Sequence, residues 1–248
     1  MSVFGLCFGW TGIYAMLLMT YNIRAGLGID DKRSILRVAD VIRAAGASVV
    51  CLQEVDRKMP RSGLTDQAGW LGERLGMEFV FQPNLVIGSA GFGNAVLSHY
   101  PVLSAKFHSL TSKDEQRGLM EVVVAAPDTN FTIFCTHFGL DAGERLVQAG
   151  ESAAFVRVAR SPAVFCGDLN EIEAGGAVQR LLSESGLHDL VKDAAEPENT
   201  YSVDNLRARI DYVFGTPDVK GITATAIDSP ASDHRPVLVE IESISTAR

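Results

Sequence analysis

The chain has 248 residues and a mass of 26.7 kDa, room for one large α/β domain, and its 47% hydrophobic content and mean hydropathy of +0.14 exclude a disordered polymer. Its net charge of −8 and pI near 5.1 speak against a protein that grips long nucleic acid through a basic footprint, although carboxylates gathered around a metal enter the same total. Four cysteines without Cys-x-x-Cys spacing argue against a zinc site or a disulfide framework. Cys51, Cys135 and Cys166 lie in apolar strand-like runs and read as reduced, buried thiols, which fits a cytoplasmic compartment.

Met1 to Leu18 is apolar and aromatic, yet it lacks a basic n-region and a clear cleavage site, and Gly and Thr interrupt it too often for a bilayer span. Residues 1–15 are therefore expected to form a poorly defined extension, and residues 16–248 a single domain. A weak signal anchor is the alternative for the first stretch. Met16 to Tyr21 then reads as a buried strand tipped by Asn22. Asp30 or Asp31 caps a helix with Ile35, Val38, Ala39 and Ile42 at helical spacing, and Gly46 stops it. Ser48 to Leu52 is a second strand, ending in Gln53-Glu54. This βαβ-like unit brings Asn22 and Glu54 to one edge.

A basic loop follows at Arg57, Lys58 and Arg61, then a helix from about Asp66 to Leu75. Strands are expected at Glu78–Gln82, Asn94–Ser98 and Val102–Leu110. Gly91-Phe92-Gly93-Asn94 offers a place where backbone can approach a ligand. Glu121–Ala126 and Phe131–Thr136 pair as a hairpin that stops at His137. A helix over about Gly143 to Val158 leads to a strand at Ala163–Cys166 and to Gly167-Asp168-Leu169-Asn170. After a further helix ending near Gly186, strands are expected at Arg209–Phe214, Ile222–Ile227 and Val237–Ile241. The last follows Ser232-Asp233-His234-Arg235-Pro236, since proline suits the first position of a strand. Strands that both alternate with helices and run in hairpins suggest two packed mixed sheets with helices outside.

Singly, each polar punctuation has a bland reading. Asp168 and Asn170 could cap their own turn, Glu54 could be a solvated strand end, and His137 a hydrogen-bonded core histidine. Asn22 and Asn94 could cap turns, and Arg117-Gly118 could be a surface bulge. Jointly, they fall at strand ends in the combination that attack on a phosphate ester requires. That combination is an oxygen-rich site for a hard cation, a carboxylate to deprotonate water, and a donor for phosphoryl oxygens.

The ordered series Thr20-Tyr21-Asn22-Ile23, Leu52-Gln53-Glu54-Val55-Asp56, Gly93-Asn94, Arg117-Gly118, Thr136-His137-Phe138, Gly167-Asp168-Leu169-Asn170, Arg209-Ile210-Asp211-Tyr212 and Ser232-Asp233-His234-Arg235-Pro236 resembles the endonuclease/exonuclease/phosphatase superfamily over about Met19 to Ile241. The resemblance implies an α/β fold, a four-layer sandwich of two mixed β-sheets packed face to face with helices outside. It implies a phosphoric ester hydrolase using Mg²⁺ or Mn²⁺. Glu54 would be the principal metal ligand, with Asn22 and Asp233 nearby and Asp168 and Asn170 adjoining. Asp168 would orient and deprotonate the attacking water, and Asn170 would hold the phosphoryl group or the metal. His234, fixed by Asp211, would stabilise phosphate charge, and Asn94 would line the pocket. His137 matches the deoxyribonuclease and sphingomyelinase branches rather than abasic-site endonucleases, where tyrosine stands.

Arg24, Arg57, Arg61 and Arg117 are substrate-binding candidates. Arg24, the Arg57-Lys58-Arg61 loop and the Arg207/Arg209 segment are expected to form a positive collar around the cleft for a compact phosphate ester, solvated loop charges being the alternative. A DNA or RNA nuclease is the runner-up. It would need rim aromatics for stacking, which the segments around Arg24, Arg61 and Arg207 lack, Tyr201 being only close in sequence. A catalytically silent scaffold is the non-enzyme alternative.

Overall fold

The computed structural model describes residues 15–160, 162–203 and 205–244. The expected extension over 1–15 and the alternative signal anchor thus lie, Ala15 to Leu18 apart, outside the described residues. Strand β1 (Met16–Asn22) and strand β2 (Val49–Arg57) are nearly continuous apolar runs because their sheet is covered on both faces. Helix α1 (Ile35–Ala45) joins them. Ser34 Oγ accepts from the Arg37 N–H at its start, and Gly46 ends it in the left-handed region at φ 67°. The two strands are parallel, with Thr20 opposite Cys51 and Asn22 opposite Gln53.

Helix α2 (Gln67–Leu75) is followed by the hairpin of β3 (Glu78–Ile87) and β4 (Ala90–Ser98). The hairpin is longer than sequence pattern suggests because β3 continues through Pro83, where a register shift takes up the residue that cannot donate. Next come β5 (Val102–Leu110), β6 (Arg117–Ala125) and β7 (Asn130–His137), an antiparallel meander with the expected β6–β7 hairpin. Helix α3 (Ala142–Val158) carries the chain to β8 (Ala163–Asp168), parallel to β7. Helix α4 (Gly176–Ser185) precedes the short β9 (His188–Asp189) and α5 (Leu190–Ala194), neither of which the sequence signals. The chain ends in β10 (Asp211–Gly215), β11 (Val219–Ala226) and β12 (Val237–Ser243).

These strands form two six-stranded mixed sheets, ordered β11-β12-β1-β2-β4-β3 and β5-β6-β7-β8-β10-β9. Three apolar clusters define four layers. Leu18, Val49, Cys51, Val122, Ile133, Cys166 and Val239 fill the space between the sheets. Val38, Ile42, Ala68 and Leu71 pin α1 and α2 to the first sheet, and Ala149, Ala153, Val178 and Leu181 pin α3 and α4 to the second. Each large side chain buried this way contributes about 1.5–3 kcal/mol. Cys51, Cys135 and Cys166 are free thiols within the core, and burial pushes each of them up from the ordinary thiol range. Among the described residues no helix is long and apolar enough to cross a membrane.

Two backbone features aim the polar ends. β2 does not stop at Leu52. It runs to Arg57, and its register against β4 shifts between Leu52 and Val55. Glu54 sits in that bulge at φ 57°, a conformation that costs an ordinary residue about 1–2 kcal/mol. Gly167, at φ 150°, packs so tightly on β7 that a Cβ would overlap the Thr136 carbonyl. Only glycine lets β8 carry Asp168 up beside His137.

Gly167→Ala should accordingly cost about 3 kcal/mol or more in urea unfolding, against about 1 kcal/mol for Gly46→Ala, where a Cβ meets open space. Equal midpoints for the two variants would contradict the close approach of β8 to β7.

Candidate active site

The site forms where the two sheets present strand ends at one edge. Asn22 closes β1, His137 closes β7, Asp168 closes β8, and Asp211 opens the antiparallel β10 opposite Asp168. The loop before β12 brings Ser232, Asp233 and His234. Ser232 Oγ donates to the Asn22 carbonyl at 2.7 Å and ties that loop to β1. Thr200 Oγ1 accepts from the backbone N–H groups of Ile210 and Asp211 and fixes the start of β10.

Asn22 is the hub. Its Nδ2 donates at 3.0 Å to Glu54 Oε1 and at 3.0 Å to Asp168 Oδ2, while its Oδ1 accepts from the Arg24 N–H. In this orientation Asn22 bridges two carboxylates with its amide nitrogen, and its oxygen is already committed to the backbone. Asp168 Oδ1 accepts from the Asn170 N–H at 2.8 Å, so both of its oxygens are held. Burial is the main influence on Glu54 and raises its pKa, against the Asn22 hydrogen bond and the His234 charge.

The two histidines have opposite charge states. Donor groups face both ring nitrogens of His137: the Arg117 guanidinium lies 3.2 Å from Nδ1, and Asn170 Nδ2 lies 3.0 Å from Nε2. His137 Nε2 also lies 3.4 Å from Asp168 Oδ2, and Asn170 Nδ2 donates to the Phe138 carbonyl at 2.9 Å. Burial, with Arg117 beside it, outweighs the pull of Asp168 and drops His137 to about 4, leaving it neutral near pH 7. His234 donates from Nδ1 to Asp211 Oδ2 at 2.9 Å, and its Nε2 lies 3.7 Å from Asp168 Oδ2. Burial opposes its charge too, but Asp211, Asp168 and Asp233 together prevail and raise it to about 10. His234 is a cation held in place; His137 is a neutral imidazole.

The cleft above these groups has a volume of about 430 Å³. Glu54, His137, Asp168, Asn170, Asp233 and His234 all line it, as do Arg61 and Arg117. Arg24 reaches Asp233 at 3.3 Å from the rim. Other expected residues are placed elsewhere. Asn94 is buried and donates to the Gly118 carbonyl, stapling β4 to β6 rather than facing the cleft. Arg57 lies over the Phe81 ring and does not line the cleft. Arg209 is buried in a two-bonded pair with Asp189. The Arg209 part of the collar is thereby corrected, because a buried ion pair needs that guanidinium for structure. The expectation of an aromatic-free rim is corrected as well. The Tyr201 ring lies 4.7 Å from the His234 ring, tilted by 42°, Phe92 carries Arg61 above it, and both Tyr201 and Phe92 line the cleft. Chain folding puts Phe92 there from a distant hairpin, so neighbours in sequence could not reveal it.

Asp168, Asp211 and His234 present ligand-type atoms within 4.8 Å of one another. The 2.9 Å hydrogen bond of His234 to Asp211 accounts for that closeness as a charge pair. The stronger case for a cation is charge balance. Around the mouth the carboxylates of Glu54, Asp168, Asp211 and Asp233 face two cations, Arg24 and His234, leaving two negative charges uncompensated. Asp211 Oδ1 is buried with no partner among the described residues. Carboxylate oxygens carrying a residual charge of that size suit a hard divalent ion.

The description "Endonuclease/Exonuclease/phosphatase family" belongs to a family model that matches residues 19–234. YbhP of Escherichia coli K12 is 27% identical over 249 residues, covering 92% of this chain and 96% of its own. An endonuclease/exonuclease/phosphatase from Beutenbergia cavernae superposes with a TM-score of 0.81 at 25% identity, over 92% of this chain and 72% of that one. The mannosyl-6-phosphatase Bt3783 of Bacteroides thetaiotaomicron has the same fold, with a TM-score of 0.75 at 17% identity over 91% and 99% of the two chains. With two mixed sheets, a shared acidic and imidazole mouth and a family match across most of its length, the chain belongs to the endonuclease/exonuclease/phosphatase family.

Proposed function

We propose that the protein hydrolyses a phosphodiester or phosphomonoester by direct in-line attack of water, without a covalent intermediate. What carries the reading is Asp168. Both of its oxygens are oriented, by the Asn170 N–H and the Asn22 amide, and it lies between a neutral and a charged imidazole at one cleft. The water oxygen forms the new P–O bond, its proton passes to the Asp168 carboxylate, and the ester P–O bond opposite breaks. The departing oxygen takes a proton from solvent. His234, kept cationic by Asp211, meets the charge that grows on the phosphoryl oxygens, and the neutral His137 and Asn170 border the same cleft. Arg117 and Asn170 hold the His137 ring from its two nitrogens and so act as positioning residues.

Glu54 and Asp233, with Asp168 adjoining, would hold Mg²⁺ or Mn²⁺, while Asn22 keeps Glu54 and Asp168 apart and aligned. Bound there, the ion would offset the two surplus negative charges and polarise the phosphoryl group. A nuclease reading gains from Phe92 and Tyr201 among the residues that line the cleft. It loses from the cations beside them, which are neutralised: Arg61 by Asp56 and Arg117 by Glu115. The silent-scaffold reading does not explain why Asp211 is buried to hold a charge on His234, an arrangement whose desolvation costs stability.

A panel of Mg²⁺ and Mn²⁺ against bis-aryl phosphodiesters, aryl phosphomonoesters, nucleic acids and phospholipids tests the reading directly. Metal-dependent turnover abolished by chelator is expected, and a blank panel would favour the scaffold. Asp168→Ala should lower kcat by about 10²–10⁴, and a wild-type kcat would remove it as the base. Glu54→Gln should raise the metal concentration for half-maximal activity by roughly tenfold or more; an unchanged requirement would place the ligand elsewhere. Asp211→Asn should depress kcat with little change in KM, and a change confined to KM would instead assign the pair to substrate binding.

A further inference from the structure

The mouth of the cleft is two-sided. Its floor carries the carboxylates and imidazoles, but Met59, Leu85, Phe92, Leu140 and Ile210 line it as well. Leu85 and Phe92 are cross-strand partners in the β3–β4 hairpin, so their side chains share one face. Ile87, two residues further along β3, belongs to that face too. The hairpin tip stands open to water, with Val86 60% and Ile87 59% exposed, and Leu140 on the loop after β7 is 78% exposed. Contiguous apolar side chains left in solvent beside a polar cleft mark a binding surface rather than incidental exposure.

Charge narrows what can occupy it. Each guanidinium bordering the cleft is committed to a carboxylate: Arg24 to Asp233, Arg61 to Asp56 and Arg117 to Glu115. The body as a whole carries −8. A polyanion such as DNA therefore meets no free positive rim. A single phosphate joined to an apolar group meets a complement for both of its halves.

We propose that the substrate is an amphiphilic phosphoester, with its phosphate over Asp168 and an alkyl chain laid along Phe92, Leu85, Ile87 and Leu140. This rests on the phosphoesterase reading above and names the substrate class for it. The hydrolysed bond is the same, and the chain serves only for binding.

The test is a chain-length series of p-nitrophenyl methyl, hexyl and dodecyl phosphate, each below its micelle concentration, with Mg²⁺ or Mn²⁺. A fully buried methylene is worth up to about fourfold, so kcat/KM should rise at least about tenfold from methyl to hexyl along a partly open lip. The double variant Leu85→Ser/Ile87→Ser, and separately Leu140→Ser on a different loop, should each cut the hexyl-to-methyl ratio to about a third or less. The urea midpoint should hold for Leu140→Ser, whose side chain is 78% exposed, and fall only modestly for the double variant, where Leu85 is 38% exposed. A flat series, a ratio unchanged in both variants, or a higher kcat/KM on single-stranded DNA than on the hexyl ester overturns the amphiphile and leaves the hydrolase. No turnover of any of the three esters with either metal overturns this inference, and the hydrolase reading falls with it only if aryl phosphomonoesters are left untouched as well.

Discussion

One amide group holds the site together. Asn22 Nδ2 donates to Glu54 from its own sheet and to Asp168 from the other, 146 positions along the chain. Two carboxylates at that separation repel each other and resist burial. A shared donor offsets part of that repulsion and fixes the gap between them. The Asn22 carbonyl takes the Ser232 hydroxyl, so the loop with Asp233 and His234 is referenced to the same residue. The relative position of the sheets and the geometry of the mouth are therefore one constraint. The core between the sheets, from Leu18 to Val239, sets the distance that this amide must span.

Around that hub the environment sorts two chemically identical side chains into different roles. His137 and His234 both sit near Asp168 and both are buried. What separates them is the partner on the far side of each ring. A guanidinium behind His137 makes a second positive charge unfavourable, whereas the buried carboxylate behind His234 demands one. Pairs of titratable groups pushed apart in this way are the usual sign of a division of labour in a reacting site.

The cations of the chain are used differently from what their placement in the sequence suggests. Arg209 secures β9 and the turn before β10, Arg57 lies over an aromatic ring, and Arg61 is clamped to the fully buried Asp56. Desolvated carboxylates such as Asp56 and Asp189 bind the guanidinium groups more firmly than open solvent would. The rim left around the cleft in consequence offers paired guanidinium groups and a partly apolar surface.

The strand and helix pattern, the two-sheet α/β architecture and the grouping of Asn22, Glu54, His137, Asp168, Asn170, Asp211, Asp233 and His234 were legible in the sequence. Apolar periodicity and polar strand tips are local signals, and the site is built from such tips. The sequence did not disclose the bulge that turns Glu54 into the cleft, because a bulge arises from pairing with β4 rather than from β2 alone. Nor did it disclose that Asn94 staples the sheets, that Arg209 is buried, or that Phe92 and Leu85 reach the mouth. Which residue types can do the chemistry is written along the chain. Which of them face the same cavity, and whether each charge meets a partner there, depends on contacts between segments far apart, and only the folded packing of the two sheets decides it.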